Sequence, residues 1–149
     1  MNVPPKSKPS RIKYKNCKPV LIVDDTLGNR ELFAMQVREY GLPARHAETG
    51  KQAVDILAAE PDAFSLVMMD LSMPDMDGFT ATQLIREREK GTGHHVPIIA
   101  VTAYAVPGSR EMCLGAGMDD FFSKPLMLVD VGDMLAKWLP LGTETESQT

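Results

Sequence analysis

The chain has 149 residues, 44% hydrophobic and 24% charged, with a formal net charge of −4, which suits one globular domain with a single core rather than two. No stretch approaches the roughly 20 apolar residues of a membrane span, and the polar, Pro- and Lys-rich run from Met1 to Lys18 is no signal peptide, so a soluble, cytoplasmic chain without membrane contact is expected. The first 18 residues carry six bases and no acid and the last ten only two acids, which leaves 10 bases and 18 acids, a net −8, on residues 19–139; so acidic a body excludes a nucleic-acid surface, which needs clustered Lys and Arg.

Residues 1–18, with Pro4, Pro5 and Pro9 among the bases, read as a disordered leader or linker. Cys17 and Cys113 have no metal-ligand spacing and read as reduced thiols. Val20 to Val23 form an apolar strand that runs into the acid pair Asp24-Asp25. A helix follows from Leu27, with Phe33, Val37 and Tyr40 on one face, and Gly41 stops it. Ala44 to Glu48 make a short, poorly patterned strand. Thr49 caps a helix that buries Ala53, Val54, Leu57 and Ala58 before Pro61 ends it.

Leu66 to Asp70 is a run with no polar break before its terminal carboxylate, as expected of a strand buried on both faces. Pro74 then stops strand pairing. Taken alone, Asp70 reads equally as a turn cap or as a reactive group. A helix of weak apolar face spans about Phe79 to Lys90, and the loop Gly91-Thr92-Gly93-His94-His95 leads to a strand from Val96 to Val101 that ends at Thr102. A short helix over Gly108 to Leu114 precedes the strand Asp120 to Ser123, which enters Lys124-Pro125. The last helix aligns Leu128, Val131, Leu135 and Trp138, and Pro140 closes the domain; residues 140–149 read as a disordered tail.

Strands alternating with helices five times imply an α/β fold, a parallel sheet with helices on both faces. All carboxyl ends of its strands share one edge, the edge where such sheets bind ligands. Asp24, Asp25, Asp70, Thr102 and Lys124 therefore converge. Three crowded carboxylates repel unless one takes a proton or a cation joins them, and an all-oxygen donor set without Cys or His suits Mg²⁺. A phosphoryl group then bridges the metal and Lys124, Thr102 donates to another of its oxygens, and Asp70 is the natural nucleophile.

The Asp24-Asp25 pair after Val20-Leu21-Ile22-Val23, the run Met69-Asp70-Leu71-Ser72-Met73-Pro74-Asp75-Met76-Asp77-Gly78, Val101-Thr102-Ala103 and Ser123-Lys124-Pro125 resemble the response-regulator receiver domain of two-component signalling. The resemblance covers residues 19–139. Thr102 to Ala105 and Gly117 to Pro125 are similar to receivers of hybrid sensor histidine kinases. The resemblance implies a flavodoxin-like (βα)5 fold with strand order 2-1-3-4-5. It implies that Asp70 accepts a phosphoryl group from a phosphohistidine on a histidine kinase or histidine phosphotransfer protein. Asp25, Asp70 and the backbone carbonyl of Ser72 would bind Mg²⁺, with Mn²⁺ as the alternative ion, and Asp24 would help through the metal or its water. Thr102 and Lys124 would hold phosphoryl oxygens. Such a domain is no dedicated enzyme but catalyses its own phosphorylation and dephosphorylation.

In the family the threonine moves with an aromatic residue three positions before the lysine, here Phe121, and Tyr104 offers an alternative ring. Ser72 and Tyr104 would tune the lifetime of the aspartyl phosphate in opposite directions. The face built from the fourth helix, fifth strand and fifth helix would shift, and output would pass by protein contact or onward transfer. Alternatively the chain is a fragment of a hybrid kinase with residues 1–18 as its linker.

Other readings fit less well. Asp75-Met76-Asp77-Gly78-Phe79-Thr80 resembles the nucleophile motif of haloacid-dehalogenase-type phosphatases, but that motif should follow a buried strand and here follows Pro74. As a calcium loop the stretch would need ligands at Met73 and Leu84. His94 and His95 read as exposed and idle, and Met68 and Met69 as core. No Gly-rich phosphate loop follows the first strand, against a nucleotide-binding domain. A receiver-like docking module acting without phosphorylation keeps the fold and denies the chemistry; the filled site positions weigh against it.

Overall fold

Alternation along three apolar strands sets the layering. The computed structural model describes residues 12–139 and the backbone of residues 144–146. Its elements are β1 (Ile12–Tyr14), β2 (Val20–Val23), α1 (Leu27–Glu39), β3 (Ala44–Ala47), α2 (Gly50–Ala59), β4 (Leu66–Asp70), α3 (Gly78–Glu89), β5 (Ile98–Thr102), α4 (Ser109–Gly115), β6 (Asp120–Ser123), α5 (Leu128–Trp138) and β7 (Glu144–Glu146). Successive side chains on a strand point to opposite faces. Val20, Ile22, Leu66, Met68, Ile99 and Val101 accordingly pack with Phe33 and Val37 of α1 and Val131, Met134 and Leu135 of α5. Leu21, Val23, Val67, Met69, Ile98 and Ala100 pack on the other side with α2, α3 and α4. Fully burying each such side chain stabilises the fold by about 1.5–3 kcal/mol.

The five core strands are parallel in the order β3-β2-β4-β5-β6. Counted among themselves, that is the expected order 2-1-3-4-5. The expected leader and tail differ in one respect: Ile12–Tyr14 pairs antiparallel with Glu144–Glu146. Tyr14 is buried, and its N–H donates to the Tyr40 carbonyl at 2.7 Å. An aromatic ring with a place to bury overrides the polar composition around it. The other residues of the leader and tail expectations, 1–11, 140–143 and 147–149, lie outside the described residues.

At the amino edge of the sheet, half-buried Arg86 of α3 donates to the Gly117 and Val96 carbonyls at 2.8 Å and pairs with Glu89 and Asp119 at 2.7 Å. Asp119 also accepts from the N–H of Ile98, where β5 begins, and meets the His95 ring at 2.7 Å. His95, expected to be idle, thus has a structural partner; His94 is exposed as expected.

At the carboxyl edge, Thr49 Oγ1 accepts from the Gln52 N–H at 3.0 Å and Asp77 Oδ1 from the Thr80 N–H at 2.8 Å, capping α2 and α3. A methyl group on Gly50 would lie 2.7 Å from the Met76 carbonyl, and one on Gly78 would collide with the Asp70 carbonyl. Only glycine lets α3 start against the end of β4. Gly78→Ala is therefore expected to lower the unfolding free energy by about 1–3 kcal/mol through overpacking; denaturant melts measure it, and an unchanged midpoint would mean that the loop from Leu71 to Asp77 yields freely.

Candidate functional site

Register decides which side chains meet. Val23 of β2 pairs with Met69, Asp70 with Val101, and Thr102 with Ser123, so the chain leaves all four strands at one level. Asp24, Asp25, Asp70, Thr102 and Lys124 come to this edge as expected. Carboxylate oxygens of Asp24, Asp25 and Asp70 lie within 4.8 Å of one another. Asp24 and Asp70 are buried and Asp25 is exposed.

Asp24 is the most fully engaged of the three. Its Oδ1 accepts from the Thr26 N–H at 2.9 Å, both its oxygens lie 3.4 Å from Asn29 Nδ2, and its Oδ2 pairs with Lys124 Nζ at 2.9 Å. Asp70 Oδ1 lies 3.6 Å from the same ammonium and accepts from the Ser72 N–H at 3.3 Å. Burial, and then the Asp24 charge, push the Asp70 carboxyl above the usual carboxylate range; Lys124 and the Ser72 N–H oppose them, and Asp25 adds to the rise. The donors are all oxygen, two are sunk in the rim and one opens to solvent, and the charge is unbalanced even with Lys124 present. That set fits a hard divalent cation.

Thr102 is buried, and its Oγ1 accepts from the Tyr104 N–H at 3.1 Å. Its carbonyl takes the Lys124 N–H at 2.7 Å, which ties the backbone of the lysine to the end of β5. Phe121 is half-buried against the layer of α2, α3 and α4, whereas Tyr104 is 76% exposed. Asp75 lies in an exposed turn with φ 70°, not at the end of a buried strand where a phosphatase nucleophile would stand.

Three neighbours of Asp24 were not legible as site residues: Thr26 through its N–H, Asn29, and Arg30, whose Nη1 donates to the Asp24 carbonyl at 2.8 Å. A signal for Arg30 exists. It stands three before Phe33 and seven before Val37, hence on the buried face of α1.

Residues 20–136 match the family model described as the response regulator receiver domain. Histidine kinase 2 of Arabidopsis thaliana is 37% identical over 126 residues, covering 72% of this chain and 11% of the kinase. This chain thus spans about a tenth of that relative's length. Among solved structures, the receiver domain of sensor histidine kinase PA1611 from Pseudomonas aeruginosa PAO1, with a magnesium ion coordinated in its active site cleft, is 36% identical with a TM-score of 0.70, over 82% of this chain and 97% of that one. The receiver domain of Ssk1, solved with the histidine phosphotransfer protein Ypd1 of Saccharomyces cerevisiae, is 27% identical with a TM-score of 0.73, over 87% and 94%. With the family model matched across the whole sheet and its flanking helices, the chain belongs to the response regulator receiver domain family.

Proposed function

We propose that this chain is the phosphoacceptor module of a phosphorelay, in which Asp70 takes a phosphoryl group from a phosphohistidine with the help of Mg²⁺. The observation that carries the reading is three carboxylates within 4.8 Å of one another beside an ammonium 3.6 Å from Asp70. An Asp70 oxygen forms the new bond to phosphorus while the bond to the donor's imidazole nitrogen breaks, and that nitrogen keeps the electron pair. Asp24, Asp25, Asp70 and the Ser72 carbonyl would hold Mg²⁺, or Mn²⁺ in its place, which supplies positive charge to the transferring group. Lys124 turns from Asp24 to one phosphoryl oxygen and Thr102 donates to another.

The donor is a histidine kinase or a histidine phosphotransfer protein; the complex of Ypd1 with the Ssk1 receiver supports the second. Leu27 and Met127, each 57% exposed, follow the acid pair and the lysine and offer apolar surface on the same rim. Thr102, on gaining a phosphoryl partner, moves with the ring of Phe121 or Tyr104 and shifts α4, β6 and α5. Ser72 and Tyr104, both exposed beside the site, set the lifetime of the adduct.

Incubation with Mg²⁺ and a small acyl phosphate is expected to give an acid-stable, base-labile adduct, absent in Asp70→Asn and formed about a hundredfold more slowly in Lys124→Ala. Labelling that persists in Asp70→Asn would refute the assignment. Stability should carry the same signature. A carboxyl whose folded pKa is raised binds more protons folded than unfolded, so stability falls as pH rises from its ordinary to its raised value. In chelator at neutral pH, Asp70→Asn is therefore expected to melt above the wild type, by a margin that vanishes toward about pH 4. Thermal melts across pH test this, and a variant that melts lower would reverse it. On phosphorylation, amide exchange should change in α4, β6 and α5 while the start of β5, held by Asp119, stays protected; uniform exchange before and after would exclude the switch.

A further inference from the structure

Arg30 is 7% exposed on the inner face of α1. A guanidinium is costly to take out of water without an anion beside it. Here its Nη1 donates to the Asp24 carbonyl at 2.8 Å, its Nε is buried with no hydrogen-bond partner, and among the described residues it forms no ion pair. The residue thus meets its desolvation cost with one backbone bond. That bond falls on the turn that carries two of the three converging carboxylates. The Thr26 N–H and Asn29 grip the side chain of Asp24; Arg30 alone of the three grips its backbone.

We propose that Arg30 is a positioning residue for the cation site, its guanidinium fixing the Asp24 carbonyl so that the Asp24 and Asp25 carboxylates stay aimed at Asp70. This rests on the reading of those three acids as cation ligands. Without the guanidinium, the buried Asp24 carbonyl loses its side-chain donor and the turn relaxes toward water. Two roles predict opposite signs. If Arg30 positions the turn, its removal weakens Mg²⁺ binding; if it acts only as a nearby positive charge, its removal tightens binding by lifting repulsion.

Mg²⁺ titration calorimetry on the full chain decides, with Arg30→Met, Arg30→Gln and Arg30→Lys beside the wild type and thermal melts in chelator as the control for folding. Arg30→Met and Arg30→Gln, whose side chain is too short to reach, are expected to bind Mg²⁺ about tenfold more weakly. Arg30→Lys keeps a charged donor and is expected within about threefold of the wild type. Arg30→Gln keeps a polar head and serves where Arg30→Met unfolds. An unchanged constant in a folded Arg30→Met or Arg30→Gln, with only the melting midpoint lowered, would reduce Arg30 to packing and overturn the proposal, as would tighter binding. Absence of Mg²⁺ binding by the wild type would remove the cation site and this proposal together.

Discussion

Two ionised carboxylates 4.8 Å apart repel by about 3 kcal/mol at an effective dielectric constant of about 20, and this fold holds three carboxylates within that distance of one another. The acids cannot retreat, because the acid pair and Asp70 sit at the ends of adjacent strands whose registers are locked by the parallel ladder. Relief comes from Lys124, which bridges Asp24 and Asp70, and from the raised affinity of Asp70 for a proton. Both kinds of relief are reversible. A bound cation would take the place of either one while the paired strands keep the acids where they are.

Helix α1 connects the two halves of that balance. Its first turns hold Asp24 through Asn29 and Arg30. Its last turn reaches the segment after Lys124: Gln36 Nε2 donates to the Leu126 carbonyl and, just beyond the helix, Tyr40 Oη to the Leu128 carbonyl, both at 2.9 Å. Gly132 lets α5 close on the Tyr40 ring, where any Cβ would collide with the phenol oxygen. Hydrogen bonds from α1 and the residue just beyond it thus hold the segment after Lys124 and the start of α5.

The groups gathered at the carboxyl edge were legible because each marks the end of a strand. Asp24, Asp70, Thr102 and Lys124 follow apolar runs, and parallel topology alone then forces them to one edge. Arg30 and Gln36 sit on a helix whose apolar residues suffice to predict it, so a polar residue on that face raises no alarm unless its phase is counted. The pairing of His95 and Arg86 with Asp119 joins residues 24 and 33 positions apart, and local pattern carries no trace of such contacts. Tyr14 was hidden differently, in a segment whose Lys and Pro content argues for solvent while its ring joins the core cluster of Phe33 and Val37 and its N–H reaches the Tyr40 carbonyl. Composition averages over residues; burial is decided one side chain at a time.

Strand β5 is fastened at both ends, and the cluster around Asp119 supplies one of the two fastenings. The root of the strand is clamped at Ile98 by a carboxylate that also holds Arg86, while its tip at Thr102 is tied by the Lys124 N–H and a hydroxyl bond to Tyr104. Between these ends it is paired with β4 on one side and β6 on the other. The root fastening shares no residue with the acid cluster, so the two ends of the strand are held by separate sets of side chains.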